Sequence, residues 1–254
     1  MERLRAGWGH LAAAVMLVLT VAGSAVPAWA AGGRACIDPS VVSALKGPPP
    51  WPARIIATAR GAANHGCATA QSALGAAYYL GHGVPQDYAA AAYWYRLAAK
   101  QGVASAQSNL GVLYDRGHGV PQDYAKAAYW FRLAAGQGYA FAQSNLGVLY
   151  ARGEGVPQDY AKAVHWFRLA AGQGFVLAQY NLGLLYDRGV GVPRNYVEAY
   201  KWFNLAAARG DSAAGTARDR VSAAMTRAQI AEAQLLSERW RPQRTPAPAS
   251  ASTR

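Results

Sequence analysis

Histidines and carboxylates are the residues of this sequence that could perform acid–base chemistry or hold a metal ion. His82 and His118 occupy the same place in two glycine-containing loops, but that place holds Glu154 and Val190 in two later loops of the same form. A metal site needs several ligands brought together with a defined geometry. Because this spacing does not supply such a set, we predict solvated loop histidines, no catalytic residues, no metal and no cofactor.

Cys36 and Cys67 are the two cysteines of the chain. An even number of cysteines in an exported protein suits one disulfide. A bridge between them would close a loop of about 30 residues and stabilise the fold by roughly 3–4 kcal/mol on loop-entropy grounds. Two separate buried thiols are the alternative. Neither cysteine has a neighbouring base that would make it a catalytic thiol.

Export is indicated by residues 1–30, which have the form of a secretory signal. Two arginines precede an apolar run from Leu11 to Val21, and Ala28 and Ala30 place small residues at both recognition positions of a cleavage site. We predict cleavage after Ala30 and a periplasmic or secreted protein. An uncleaved anchor is the alternative, but the apolar run is shorter than the roughly 20 residues that span a bilayer, so no membrane span is expected after cleavage.

The composition is apolar and basic, with 52% hydrophobic residues, 15% charged residues and a formal net charge of +12. This balance excludes a highly charged disordered protein. Loss of residues 1–30 leaves +11, which favours acidic partners. The basic residues are spread singly and not clustered, so nucleic acid is not predicted. A polyanionic glycan, an acidic protein surface and anionic lipid headgroups fit the charge equally well.

Internal repetition is the dominant feature of the sequence. Residues 103–138 and 139–174 are nearly identical and adjoin without a gap, and residues 67–102 and 175–210 follow the same template. A period of 36 residues repeated in this way predicts a solenoid.

Each unit has the pattern of two helices, here called helix A and helix B. In the second unit, Ala106, Leu110 and Leu113 recur at helical spacing on helix A, and the glycines and proline that follow predict a turn. Asp123 is placed to cap the first turn of helix B. The equivalent caps in the other units are Asp87, Asp159 and Asn195.

Glycines in the middle of helix A predict close packing between the two helices of a unit. Glycine costs about 0.8–1 kcal/mol relative to alanine inside a helix, so its presence at Gly75, Gly111, Gly147 and Gly183 needs a compensating contact. Tryptophan and leucine columns on helix B are predicted to form the core between pairs. These columns are Trp94, Trp130, Trp166 and Trp202, with Leu97, Leu133, Leu169 and Leu205.

Residues 67–210 match four times the pattern A-x-x-x-L-G-x-x-Y-x-x-G-x-G-V-P-x-D-x-x-x-A-x-x-W-x-x-x-A-A-x-x-G. This pattern resembles the Sel1-like repeat, a relative of the tetratricopeptide repeat with a longer loop between its helices. The resemblance implies an all-α protein, a right-handed α-solenoid of helix-turn-helix units with helical caps. It also implies a scaffold or adaptor, which is the typical role of family members. Exported bacterial members are associated with envelope signalling, polysaccharide export and host contact.

The two ends of the chain depart from the template and are predicted to cap it. The prolines between residues 48 and 52 exclude helix there, so residues 31–52 are predicted to be an extended arm, and the stretch from Arg54 to Gly66 matches a lone helix B. Near the other end, Thr226 and Gln229 form a capping box for a last helix. The predicted division is a signal (1–30), an arm with a capping helix (31–66), four units (67–102, 103–138, 139–174, 175–210), capping helices (211–240) and a disordered tail (241–254).

A binding groove is implied by the resemblance, because helix A lines the groove of tetratricopeptide repeats. The matching third, sixth, seventh, tenth, thirteenth and fourteenth columns contain a set of polar residues: Asn109, Asn145 and Asn181; Ser108, Ser144 and Tyr180; Asp115 and Asp187; Arg116, Arg152 and Arg188. The amides could hold an extended peptide or sugar hydroxyls, and the guanidinium groups could hold carboxylates. With Ala73 and Leu80 in these columns of the first unit, the polar groove is expected to begin at the second.

Two structural interpretations of the same residues remain open at this point. Each arginine lies in the last turn of helix A, where a cation interacts favourably with the helix dipole. The asparagines could instead hydrogen-bond to the backbone of a neighbouring unit.

We therefore predict a non-enzymatic, exported scaffold that binds a protein or peptide segment in this groove. One alternative is an envelope protein that binds glycan or peptidoglycan, for which acidic sugars would match the charge. Another is a hydrolase of β-lactams or peptidoglycan, as in a cysteine-rich branch of the family. That branch pairs cysteines inside each repeat, whereas only Cys67 lies within the repeats here.

Overall fold

The computed structural model describes residues 51–243 together with Cys36, Asp38, Val41 and Ala44. The predicted signal and residues 244–254 lie outside the described residues. Residues 51–243 contain eleven α-helices and no strand. The helices are α1 (Ala53–Asn64), α2 (Ala68–Leu80), α3 (Tyr88–Lys100), α4 (Ala104–Arg116), α5 (Tyr124–Gly136), α6 (Ala140–Arg152), α7 (Tyr160–Gly172), α8 (Val176–Arg188), α9 (Tyr196–Ala207), α10 (Ser212–Ser222) and α11 (Arg227–Arg239).

The helices form four pairs in which each helix packs on the next. Helices α2, α4, α6 and α8 are the A helices, and α3, α5, α7 and α9 are their B partners. Each B helix also packs on the A helix of the following unit, so the pairs stack into one continuous array. The prediction of an all-α solenoid built from helix pairs is confirmed.

The two ends of the array are helical. Val41 and Ala44, before α1, are also helical, so the prediction of an extended arm is wrong at these positions. Helix α1 packs on α2, as a lone helix B would, while α10 and α11 both pack on α9. The capping box of Thr226 and Gln229 is present at the start of α11. A disulfide joins Cys36 to Cys67, with 5.6 Å between their Cα atoms, and attaches the segment before α1 to the first unit.

The predicted local signals form as expected. The Asp123 carboxylate accepts a hydrogen bond from the backbone N–H of Lys126 at 2.9 Å, and Asp87, Asp159 and Asn195 cap the other B helices. Helix α4 ends at Gly117, which has φ +69°. That left-handed conformation is nearly free of cost only for glycine, so the turn between the helices is encoded locally.

The mid-helix glycines allow an aromatic ring of helix B to lie directly against helix A. A Cβ atom at Gly111 would lie 2.7 Å from a ring carbon of Phe131, and the other three glycines are equally close to the equivalent ring. These rings, Tyr95, Phe131, Phe167 and Phe203, are almost completely buried. The predicted compensating contact is therefore confirmed, and its partner is this aromatic column.

The prediction that the tryptophan and leucine columns form the core between pairs is wrong for Leu133 and Leu169 and only partly right for the tryptophans, which pack against the buried clusters from their edge. Only Trp202 is buried in its column, whereas Leu133 and Leu169 are 38% and 42% exposed. One residue further along a helix is rotated by about 100°, so the ring that follows each tryptophan faces helix A. The tryptophans lie instead at the edge of the joint with the preceding unit; Trp130, for example, packs on the cluster of the first unit and α4.

Glutamine side chains join consecutive units, a feature that the sequence patterns did not reveal. The Gln107 amide donates to the carbonyl oxygen of Ala99 at 3.1 Å, and the Gln137 amide donates to Gln107 Oε1 at 2.8 Å. The same bonds recur one unit later at Gln143 and Gln173. Because each amide satisfies a buried carbonyl at the end of a B helix, these contacts fix the stacking of neighbouring units.

Candidate binding surface on the A helices

The accessible side of the A helices is a stripe formed by the third, seventh, tenth and fourteenth positions of each unit. These positions are spaced by three or four residues, so they share one side of a helix. In the second and third units all of them are at least partly accessible except Val112, which is 9% exposed. We define the helix A face by its two central helices: Ser105, Asn109, Val112 and Arg116 on α4, and Phe141, Asn145, Val148 and Arg152 on α6.

The two asparagines at the centre of this face are held differently. Asn145 donates a hydrogen bond from Nδ2 to the carbonyl oxygen of Phe141 at 2.8 Å, within its own helix. Asn109 lies next to the hydroxyl of Tyr95, whose pKa is raised far above its ordinary value by burial. Both amides are half-buried, and the hydrogen bond of Asn145 constrains its orientation before any ligand arrives. Asn145 therefore does not make the alternative hydrogen bond, to the backbone of a neighbouring unit, that the sequence left open.

A cluster of four charged residues lies at the end of the face where the A helices finish. Arg152 Nη1 contacts Glu154 Oε2 at 3.5 Å. Burial raises the pKa of Asp115, the Glu154 carboxylate raises it further, and Arg116 and Arg152 act in the opposite direction. Two guanidinium groups and two carboxylates therefore lie together at this end of the face.

Two predicted groove residues are buried and do not reach the surface. Ser108 is 0% exposed and Ser144 is 4% exposed. Their column, the sixth, is rotated by about 100° from the seventh, which places it beside the accessible stripe. Assigning Ser108 and Ser144 to the groove is therefore wrong. Tyr180, in the same column, is half-buried with its ring 5.8 Å from that of Phe203.

The fourth unit also departs from the predicted groove, because α10 covers α8. Asn181 is 2% exposed, and the following Leu184 is buried in a cluster with Ala214 and Val221 of α10. Asp187 is paired with Arg220 at 2.6 Å. Asn181 is therefore a core residue and not a groove residue. Arg188 remains exposed.

Sequence reasoning missed the apolar members of the face. Phe141 and Val148 are half-buried on either side of Asn145, and the Phe141 ring meets the Phe175 ring edge-on at 6.0 Å. Phe141 lies in the third column of its unit and Val148 in the tenth, but only polar side chains were predicted to line the groove. The four-, three- and four-residue spacing from Phe141 through Asn145 and Val148 to Arg152 would have found them.

Four arginines connect one helix B to the helix A of the following unit. Arg96 donates to the Tyr114 hydroxyl at 3.3 Å, and the ammonium of Lys126 lies 5.6 Å from the centre of the same ring. Corresponding arginine–tyrosine bonds are Arg60 to Tyr78, Arg132 to Tyr150 and Arg168 to Tyr186. These four arginines therefore have a structural role, whereas Arg116 and Arg152 lie on the helix A face.

The loop histidines are packed and not solvated as predicted. His118 stacks on the Tyr88 ring at 4.8 Å, and His82 meets the Trp51 ring edge-on at 5.7 Å. Both Nδ1 atoms are buried. The loops lie on the preceding helix B, where a Cβ atom at Gly119 would be 2.2 Å from the Tyr88 backbone, and this proximity buries the rings. Within the described part of the chain, no group of three or more potential metal ligands occurs.

The repeated helix pair and the face along its A helices define an α-solenoid repeat protein. Residues 68–103, 104–139, 140–175 and 176–211 each match the family model of the Sel1 repeat, so the chain belongs to the Sel1 repeat family. Each match begins one residue later than the predicted unit. Sel1 repeat proteins are in general scaffolds for protein–protein interaction, and their fold is typically non-catalytic.

Solved structures include relatives with the same repeat. A Sel1 repeat protein from Oxalobacter formigenes is 31% identical, with a TM-score of 0.63 over 74% of this chain and 76% of that one. The protein c5321, a protective antigen of uropathogenic Escherichia coli, is 30% identical, with a TM-score of 0.46 over 74% of this chain and 56% of that one. No curated protein matches the sequence.

Proposed function

We propose that this protein is an exported scaffold that holds an extended peptide segment of a partner protein on the helix A face. The observation that carries the proposal is the alternation on α6 of an apolar ring, an amide, a second apolar side chain and a guanidinium: Phe141, Asn145, Val148 and Arg152. Apolar contacts contribute affinity, while placed amides and cations select orientation and sequence.

The charge of the face defines the chemistry of the segment. Arg116 and Arg152 lie one unit apart at the same end of the face, so a segment crossing both units meets two guanidinium groups. We therefore propose an acidic segment with apolar side chains between its carboxylates. Arginine can bind a carboxylate through two parallel hydrogen bonds, which fixes the direction of the bound chain.

The rigidity of the array supports this assignment. The face is built on helices whose stacking is fixed by buried glutamine bonds and by aromatic rings against glycine. A surface that is ordered before binding avoids most of the entropy cost of arranging its side chains. The segment, and not the scaffold, then loses conformational freedom.

Export belongs to the same proposal. The form of residues 1–30 and the bridge between Cys36 and Cys67 both support an oxidising compartment outside the cytoplasm, where disulfides persist. We propose that the processed protein begins at residue 31. No helix among the described residues is long and apolar enough to cross a membrane.

A cross-linking experiment tests the binding face. A photoreactive phenylalanine derivative replaces Phe141 in one protein and Tyr129, which is 53% exposed on α5, in another. Both are irradiated in the envelope of the producing cell, and cross-linked proteins are identified by mass spectrometry. We expect one partner protein to be captured from position 141 and not from position 129.

A matched pair of variants separates the face from the overall charge. Asn145→Ala combined with Arg152→Ala should abolish capture at position 141, whereas Lys100→Ala, which removes one exposed charge from α3, should leave it intact. Equal capture by the double variant would contradict the proposal. Salt-sensitive retention of the wild type on a polyanionic glycan, without protein capture, would support the envelope-binding alternative.

A further inference from the structure

A tryptophan that follows the last helix covers part of the fourth B helix. The Trp240 ring meets the Trp202 ring of α9 edge-on at 6.5 Å, and the Arg209 guanidinium lies 5.6 Å from the centre of the Trp240 ring. Leu205, three residues beyond Trp202, packs in the cluster that also holds Trp240. Under this cover Trp202 is only 7% exposed and Leu205 is half-buried. The fourth unit therefore shows an indole ring packed against a B helix.

The backbone after Trp240 is extended and reaches the preceding B helix. Trp240 has φ −64° and ψ 138°, and Pro242 favours extended backbone at the residue before it. The backbone N–H of Gln243 donates to the carbonyl oxygen of Gly172, at the end of α7, at 2.8 Å. The segment from Trp240 to Gln243 therefore bridges two consecutive B helices, with its ring on α9 and its backbone on α7.

The repeat places the same groups one unit earlier, between α5 and α7. We define the helix B groove by the residues that precede Trp202, Leu205 and Gly172 by 36 positions: Trp166, Leu169 and Gly136. Leu169 is 42% exposed, and Gly136 is exposed where Gly172 is buried. A Cβ atom at Gly136 would meet nothing within 4 Å. Residues 51–243 therefore leave uncovered in this groove the surface that Trp240 and Gln243 cover in the next one.

The joint between α3 and α5 is a poorer copy of the groove. Trp130 and Leu133 repeat its apolar groups, but Lys100 takes the place of Gly136. A Cβ atom at Gly172 would lie 3.3 Å from the Gln243 side-chain oxygen, so the bound segment there uses the absence of a side chain. Because Lys100 adds a long charged side chain at this position, the joint between α5 and α7 is the better match.

We propose that the helix B groove binds a partner protein through an extended segment in which a tryptophan is followed by proline-containing backbone. The indole packs on Trp166 and Leu169, and the backbone N–H three residues later donates to the carbonyl oxygen of Gly136. Segments held extended by proline lose little conformational freedom on docking to an aromatic surface. This site is separate from the helix A face, and it selects an indole instead of carboxylates.

One difference between the two grooves makes the helix B groove the weaker site. Gln173 stands where Arg209 stands in the fourth unit, so the groove lacks the guanidinium that faces the Trp240 ring. A cation at the face of an indole strengthens binding about two- to fivefold at an exposed site. Arginine suits position 173, because Arg209 donates to the Gly174 carbonyl oxygen as Gln173 does to that of Gly138.

A peptide titration tests the proposal. The probe is a synthetic peptide of residues 239–243 with both ends blocked, added to the isotope-labelled intact protein, whose indole N–H signals are assigned through single Trp→Phe variants. We expect a saturable shift of the Trp166 signal and none of the Trp202 signal, because Trp240 already covers Trp202. The peptide with alanine in place of tryptophan should shift neither signal. An unchanged Trp166 signal, or an equal shift with the alanine peptide, would overturn the proposal.

Three variants locate the bound segment. Gly136→Lys places on α5 the residue that α3 carries and should abolish the Trp166 shift, whereas Gln173→Arg should strengthen peptide binding about two- to fivefold. Gly61→Lys is the matched control and should leave the shift intact, since Gly61 is an equally open helical glycine on α1. An undiminished shift in Gly136→Lys, or a lost shift in Gly61→Lys, would refute the assignment to this groove.

Two measurements without peptide distinguish a partner from this chain itself. Deletion of residues 244–254 should leave the Trp166 signal in place, and so should dilution of the intact protein. A shift on deletion would assign the groove to the chain's own last residues, and a shift on dilution would assign it to a second copy. Either result would overturn the proposal of a separate partner.

Discussion

The second and third units and the fourth unit share one template, yet the same columns have different roles in them. Asn145 is half-buried on an accessible face, whereas Asn181, one unit later, is 2% exposed under α10. Asp115 lies near the Glu154 carboxylate, whereas Asp187 is paired with Arg220 of α10. A repeat therefore specifies a helix pair, and the neighbour that follows it decides which residues remain accessible.

Removing the C-terminal cap should have the largest effect. A chain ending at Gly210 loses α10 and α11 and exposes Leu184, Tyr200 and other residues of the cluster they cover. Burial of a large apolar side chain contributes about 1.5–3 kcal/mol, so these two alone predict a loss of at least about 3 kcal/mol. Thermal unfolding followed by circular dichroism measures it.

The control for this prediction is a chain ending at Gln243, which keeps both capping helices. Its Tm should lie much closer to that of the intact protein than the Tm of the chain ending at Gly210 does. An unchanged Tm after truncation at Gly210 would show that the fourth unit does not need its cap, and the contrast between the units would then have another cause.

One isosteric substitution in two units should show the contrast most directly. Asn181→Asp places a carboxylate in the covered position and should cost about 3–5 kcal/mol, the range observed for an uncompensated buried charge. Asn145→Asp places the same carboxylate on the accessible face and should cost less than about 1 kcal/mol. Urea unfolding at neutral pH measures both free energies.

Acid conditions supply the control for this pair. Because the neutral carboxyl closely resembles the amide, the Asn181→Asp penalty should decrease as the pH falls below the raised pKa of the new carboxyl. Equal penalties in the two variants at neutral pH would mean that α10 does not cover α8 in solution.

The ion pair between Asp187 and Arg220 should have a smaller effect. The Arg220 side chain is 61% exposed, and pairs of this kind contribute at most about 1 kcal/mol. Asp187→Asn should lower the free energy of unfolding by this amount at low salt and by less at high salt. Arg220→Gln should behave in the same way, and additive losses in the double variant would disprove the pairing.

Asp115→Asn should have the smallest effect and the opposite sign. The folded protein holds the pKa of Asp115 above its ordinary value, so ionisation at neutral pH disfavours folding. The variant should have a slightly higher Tm at neutral pH. That advantage should disappear as the pH falls through the folded pKa towards the ordinary value, because the wild-type carboxyl is then protonated. A lower Tm of the variant at neutral pH would contradict the prediction.

The sequence alone was sufficient for the parts of this fold that depend on local chemistry. Asp123 caps its helix through atoms three residues away, Gly117 ends one because of its own φ, and the period places Gly111 in the middle of helix A. These features need only helical geometry and the template, so the units and the close contact at glycine could be predicted before any coordinates were known.

Only the tertiary structure decided which residues are accessible. Periodicity indicates which residues share a side of a helix, but burial depends on what packs there, and the next unit or cap supplies that contact. For this reason Ser108 and Asn181 are in the core, Phe131 and not Trp130 fills the contact with glycine, and His118 stacks on Tyr88. The hydrogen bond from the Gln243 backbone N–H to the Gly172 carbonyl oxygen likewise joins residues 71 positions apart, which no local pattern connects.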